Sequence, residues 1–336
     1  MSDHTHSTNP ARRRVTATLA ALAGAGLVSF AGLAQAAWPE RPIQLIVPFP
    51  AGSSPDILAR TVAEPLAADL GQPIVVENKP GAGGNIGTRQ ATQAKPDGYT
   101  VLLTINGPIV TAPTLYQKSL GYDPQKDLAP VTLIGTSPNV LVVPEGFEAK
   151  TVKDFVALAK KKPGELNYGT VGPGSSSHLA MAMLEGDAGI KLQQIPYTGF
   201  PQIITSIIAG DVQAGFMVPG IAMPQVSSGK VRALAITSLE PSPVLPGIPT
   251  MAAEGFPGFE SISWNAVFVP AGTPNDIVQR LNSSIGKILA SDEVKKKMAT
   301  LYFTPKATTP EELGKMIVSE KARWDAVIQR LGLSLD

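Results

Sequence analysis

Three loops in this 336-residue chain have the composition to hold an anion without a cation. They are PFPAGSS at 48–54, GAGGN at 81–85 and GPGSS at 172–176, and each lies between an apolar run and a pattern that opens a helix. A helix start leaves backbone N–H groups unpaired at the positive end of the helix dipole, so it attracts negative groups. Glycines let a ligand approach the backbone, and serine hydroxyls add donors. Ala51, Gly52, Ser53, Ser54, Gly83, Asn85, Gly174, Ser175 and Ser176 are therefore candidate ligand-binding residues, with the Ser175 hydroxyl as a direct donor. Tight loops also need Gly and Ser for steric reasons. The recurrence of the design, more than any one loop, points to an anion cleft.

Other chemistries find little support. The chain has no Cys and three His, of which only His178 lies beyond the first six residues. Ser175 or Ser176 with His178 would make an exported serine hydrolase, the enzyme alternative. No G-x-S-x-G elbow surrounds these residues, and His178 reads equally as a residue that orders its helix start. Asp56 has the same two readings: a ligand contact, or a carboxylate placed against the helix dipole. GAGGNIG invites a dinucleotide-binding assignment, but the required third Gly is Ile86, and no acidic residue follows at ribose distance. No metal-ligand cluster is present in the pattern, and no cofactor is expected. With 28 basic and 27 acidic residues and no basic block beyond Arg12–Arg14, a nucleic-acid partner is not expected.

The elements that position these loops alternate. Ile43–Val47 is a short, almost wholly apolar run, as a strand buried on both faces should be. Pro55–Leu70 reads as a helix capped by Ser54 and stopped by Gly71, with Pro65 predicting a kink or a split. Strands over Ile74–Glu77 and Tyr99–Thr104 follow, separated by a helix to about Ala94. A second series runs from the helix Thr151–Lys162 through strands at Asn167–Thr170, Gln193–Tyr197, Val212–Met217 and Val231–Thr237. A strand over Ile262–Val269 and helices over Pro274–Leu289 and Pro310–Leu331 close the pattern. This predicts an α/β protein of two lobes, each a mainly parallel sheet flanked by helices, with the ligand in the cleft between them. Chain crossings are expected near Val131–Asn139 and Glu260–Val267. The expected divisions are 37–135 for the first part of lobe 1, 136–262 for lobe 2 and 263–336 for the return to lobe 1.

The first 36 residues read as an export signal. Arg12–Arg14 supply the positive region, Thr16–Leu33 is uncharged and apolar, and Ala34-Gln35-Ala36 is a small-x-small cleavage pattern. Cleavage before Ala37 would leave 25 basic and 26 acidic groups and no Cys to carry a lipid.

Several segments together resemble the substrate-binding proteins of tripartite tricarboxylate transporters, the Bug (TctC) family. They are RPIQLIVPFPAGSSPDILAR, IVVENKPGAGGNIGTRQATQAKPDGYTVLL, YDPQKDLAPVTLIG, LNYGTVGPGSSSHLA and PYTGFPQIITSIIAGDVQAGF. The resemblance runs from about Trp38 to the final helix. It implies a periplasmic, type II-like two-lobed binding protein, monomeric, that captures a small carboxylate and delivers it to one large and one small integral membrane subunit. A ligand-presenting sensor is the other role this resemblance leaves open. Carried over by motif, the first family loop is Pro48–Ser54, with Ser53 where the family has a second Gly, and the second is Lys79–Gly87. The family Y-K-G appears as Tyr197-Thr198-Gly199, and Gln213 replaces a common acidic residue. Phe49, Asp56, Asn106, His178, Tyr197, Thr198 and Phe216 complete the expected binding set. Phe49, Tyr197, Phe200, Phe216 and Trp264 would suit an aromatic carboxylate such as a phthalate-type diacid; an aliphatic dicarboxylate stands as the equal alternative.

Overall fold

β1 (Ile43–Val47) is buried on both faces and is paired along both edges, so it sits inside a sheet with a neighbour on either side. In this computed structural model, residues 1–2 and 38–336 are described; the export-signal reading of residues 1–36 therefore falls almost wholly outside the described residues. Arg41–Asp336 form a compact unit of their own. After β1 come α1 (Ser54–Leu70), β2 (Ile74–Asn78), α2 (Asn85–Thr92) and β3 (Thr100–Ile105). A π-turn at Gly107–Thr111 leads into α3 (Ala112–Leu115), followed by α4 (Pro124–Asp127), β4 (Leu128–Pro138) and β5 (Val140–Pro144). The chain continues with α5 (Val152–Lys161), β6 (Asn167–Thr170), α6 (Ser176–Ala188), β7 (Gln193–Pro196) and α7 (Phe200–Ala209). Then come β8 (Gly215–Met217), α8 (Pro219–Ser227), β9 (Val231–Ile236) and β10 (Ile262–Pro270). α9 (Asn275–Ala290), α10 (Asp292–Thr300), β11 (Thr304–Pro305) and α11 (Pro310–Leu331) complete it.

The six-stranded sheet has the order β11-β4-β10-β3-β1-β2. β1 is parallel to β2 and β3, as the strand–helix–strand pattern requires, but β10 runs antiparallel to both β3 and β4. The other strands form an antiparallel trio, β8-β5-β9, and a parallel pair, β6-β7. The α/β class holds, and the expectation of mainly parallel sheets is corrected. β4 leaves the large sheet where β10 re-enters it, and a leaving and a returning strand side by side must point in opposite directions. Their pairing spans Leu128–Pro270 to Pro138–Ile262.

A buried knot ties together the end of β4, the end of β9 and the start of β10. The Asn139 side chain and the Thr237 hydroxyl both donate to the Ser261 carbonyl, at 2.9 and 2.7 Å. The Thr237 amide donates to the Asn139 carbonyl, and the Asn139 amide to the Thr237 hydroxyl. Three polar groups can be buried here because each is satisfied by another.

Packing also settles two local questions. Pro65 does not split α1, which runs unbroken from Ser54 to Leu70. Val62, Ala63 and Leu66 around it are buried, and that packing offsets the single hydrogen bond proline removes. On β5, Leu141 and Val143 face one apolar cluster while Val140 and Val142 face another, so this strand is core on both sides.

Candidate functional site

A cavity of about 400 Å³ gathers all three Gly/Ser loop regions. Phe49, Gly83 and Asn85 enter it from the β1–α1 and β2–α2 connections, and Asn106 from the end of β3. Gly174, Ser175 and Ser176 enter from the β6–α6 connection, and Ser261 and Ser263 from the crossing strand. Leu115, Tyr116, Leu179, Phe200, Trp324 and Leu335 supply much of the apolar lining. Among the described residues that line it there is no Lys, Arg, His, Asp or Glu.

Each polar group is oriented by its own loop. Ser175 is the N-cap of α6: its hydroxyl accepts from the His178 amide at 3.3 Å and donates to the Gly172 carbonyl at 2.7 Å. The hydroxyl proton is thus already used, which corrects the expectation of Ser175 as a direct side-chain donor. The amides of Ser176 and Ser177 have no helical residue four positions back, and these are the donors that α6 offers. The Tyr122 hydroxyl donates to the Pro108 carbonyl at 2.8 Å and stands 3.1 Å from Oδ1 of Asn85, which holds the Asn85 side chain beside the cavity. Burial pushes the Tyr122 hydroxyl well above its usual range, so it stays a donor. Asn106 donates to the Ile262 carbonyl at 3.2 Å and ties β3 to the crossing strand.

Gly84 shows how closely the first two loops fit. Its φ is +98°, and a Cβ there would stand 2.7 Å from Cζ of Phe49 and 3.0 Å from Pro108. Gly174 does the same across the cavity: with φ +73°, a Cβ would meet Leu115 at 2.9 Å and Leu335 at 3.3 Å.

Several expected residues lie elsewhere. Ala51, Gly52, Ser53 and Ser54 do not line the cavity. The Gly52 amide donates to Asp56 at 2.8 Å, and the Ser53 hydroxyl turns back to the Pro50 carbonyl at 2.6 Å. Asp56 is buried and receives Arg60, Asn78 and Gly52. Burial would raise its carboxyl, but those hydrogen bonds outweigh it and hold the group below the usual carboxylate range. Asp56 therefore braces its loop. His178 is buried and its Nδ1 accepts from the Gly174 amide at 3.1 Å. Phe216 points into the core and stacks on Phe259 at 5.9 Å, because its register with Leu141 sends it to that face. Trp264 is likewise core. Tyr197 and Thr198 line a separate open depression with Pro196, Pro201 and Gln202. Gln213 accepts from the Asn167 amide and donates to the Gly210 carbonyl, a structural task at the start of β6.

The sequence reading missed Leu115, Tyr116, Ser261, Ser263, Trp324 and Leu335. Ser261 and Ser263 could have been found from the predicted crossing, which must pass the cleft. Leu335 lies beyond the last helix and carries no local signal.

Two sheet systems joined by crossing strands, with helix starts converging on a cavity at the junction, define the periplasmic-binding-protein fold. The family model for the tripartite tricarboxylate transporter family receptor matches residues 58–333, and the chain belongs to this family, whose members are substrate-binding proteins and not enzymes. BugT of Bordetella pertussis is 36% identical over 298 residues, covering 89% of this chain and 91% of BugT. The R. palustris protein Rpa4515, solved with adipate, has 33% identity and a TM-score of 0.76, covering 88% of this chain and 99% of its own. MatC from Rhodopseudomonas palustris, solved with malate, has 31% identity and a TM-score of 0.72, covering 87% and 100%. The periplasmic binding protein BugD has 35% identity and a TM-score of 0.72, covering 88% and 99%.

Proposed function

We propose that this chain captures a small organic carboxylate in the cavity and delivers it, as an exported monomer, to a large and a small integral membrane subunit. The observation that carries this reading is a cavity whose polar lining is wholly neutral: Ser, Thr and Tyr hydroxyls, Asn amides and the open amides at the start of α6. Fixed neutral donors suit a carboxylate, since each is already oriented and none brings a positive charge that must be desolvated. Rpa4515 with adipate and MatC with malate support the class. An aliphatic dicarboxylate and an aromatic carboxylate such as a phthalate-type diacid both fall within it.

In this reading, residues 37–135 and 263–336 form one lobe and 136–262 the other. The Asn139–Thr237–Ser261 knot lies at their junction, and cleavage before Ala37 releases the mature protein. Among the described residues, no helix is long and apolar enough to cross a membrane. The test is mass spectrometry of the small molecules released when protein purified from its host is denatured. A carboxylic acid at near-equimolar amount is expected; an amine, a sugar or a phosphate ester in its place would overturn the reading.

A further inference from the structure

The cavity has one side that the family motifs do not account for. It is built by α11 and the segment after it, and the side chains these supply, Trp324 and Leu335, offer no free polar atom. Trp324 lines the cavity, but its indole N–H is already taken by Glu320 at 3.1 Å. The other oxygen of that buried carboxylate accepts from Trp264 at 2.5 Å, so both indoles are locked by one anchor. Arg323, which lies over the Trp324 ring at 5.6 Å, bonds Glu260 at 2.9 Å and lies 4.0 Å from Glu320.

Leu335 closes the same wall. Its amide donates to the Leu115 carbonyl at 2.7 Å, and its side chain and that of Leu115 both press on Gly174. The apolar wall thus lies directly against the loop that opens α6. Asp336 fastens the segment: its carboxylate accepts from the amides of Lys118 and Ser119 at 3.0 and 3.1 Å and from the Ser119 hydroxyl at 2.8 Å. Three donors on one carboxylate make this a clamp on the residue next to the cavity.

We propose that Trp324 and Leu335 form an apolar pole that selects carboxylates with an unsubstituted hydrocarbon body, and that Asp336 holds this pole in place. The proposal rests on the carboxylate reading above and adds to it a specificity. A ligand hydroxyl set against Trp324 and Leu335 would lose its water and find no partner on either, which is how a site rejects an otherwise similar molecule. Hydrocarbon set there gains burial instead.

Calorimetry with adipate and with galactarate, which has the same six-carbon diacid skeleton bearing four hydroxyls, tests it. Adipate should bind at least about tenfold more tightly, the factor equivalent to about 1.4 kcal/mol. Leu335→Ser and Asp336→Ala should each weaken adipate at least about fivefold and narrow the ratio between the two acids, the second variant leaving every cavity side chain in place. Melting curves establish that both variants are folded. Galactarate binding as tightly as adipate, or an unchanged ratio in both folded variants, would overturn the proposal and leave the carboxylate reading intact. No binding of adipate, galactarate, malate or benzoate would overturn both.

Discussion

The Gly174 amide donates to Nδ1 of His178 at 3.1 Å, and this one contact decides what the only imidazole among the described residues can do. Nδ1 must present its lone pair inward, so the neutral ring carries its proton on Nε2. A base for Ser175 would need a free nitrogen facing that hydroxyl, and the hydroxyl proton is itself given to Gly172. His178 is thus a brace for the loop that brings Ser175 and Ser176 to the cavity.

Burial lowers the His178 pKa below its ordinary value. The unfolded imidazole, near pKa about 6.5, then takes up a proton that the folded one refuses. Its contribution to stability is complete above that value and is lost as pH falls below it, until the folded group also titrates. Urea unfolding of the wild type and His178→Gln between about pH 5 and 8 isolates the effect, because subtraction removes the other titrating groups. The difference should shrink or reverse toward the acid end; a difference constant across the range would show that the ring is not held neutral.

Ser175→Ala removes an N-cap. It should cost about 1 kcal/mol of stability, read as a lower urea midpoint. Its effect on adipate affinity should be no larger than that of Ser176→Ala, since the Ser175 hydroxyl is spent within its own loop. A Ser175→Ala protein with unchanged stability and abolished binding would contradict the cap assignment.

Gly84→Ala places a methyl group 2.7 Å from the Phe49 ring at a φ of +98°. Strain of this kind costs on the order of 1–3 kcal/mol, and because Phe49 lines the cavity the change should also weaken ligand binding. Gly107→Ala is the control: Gly107 lines the cavity as Phe49 does, yet nothing stands within 4 Å of the added Cβ. Equal melting temperatures for the two variants would contradict the close fit of the Phe49 and Gly84 loops.

Much of the fold was legible because its signals are local. Ser53 and Gly71 bracket α1 at the expected positions, give or take one residue, and Thr151 makes the expected cap, in a capping box with Asp154. The strands β4 and β10 were legible as well, since each is a largely apolar run. Strand direction was not, because an apolar run reads the same either way. The site divided along the same line. Gly83, Asn85, Gly174 and Ser176 were found from loop chemistry that a sequence displays. Gly52 and Ser53 have that same chemistry but spend it on Asp56 and Pro50, and nothing in the sequence tells a spent donor from a free one. Phe216 was assigned by residue type, and only its pairing with Leu141 reveals which face it takes. Trp324 and Leu335 reach the cavity through tertiary packing alone.

The central claim is that neutral, prearranged donors hold the carboxylate, and the salt dependence of adipate affinity tests it most directly. With no cation in the lining, raising salt from about 0.02 to 0.5 M should change Kd by less than about threefold. Arg60→Ala should leave adipate bound, because Arg60 is committed to Asp56 and Asn78 outside the cavity. A tenfold or greater loss of affinity over that salt range, or loss of binding in a folded Arg60→Ala protein, would contradict the account.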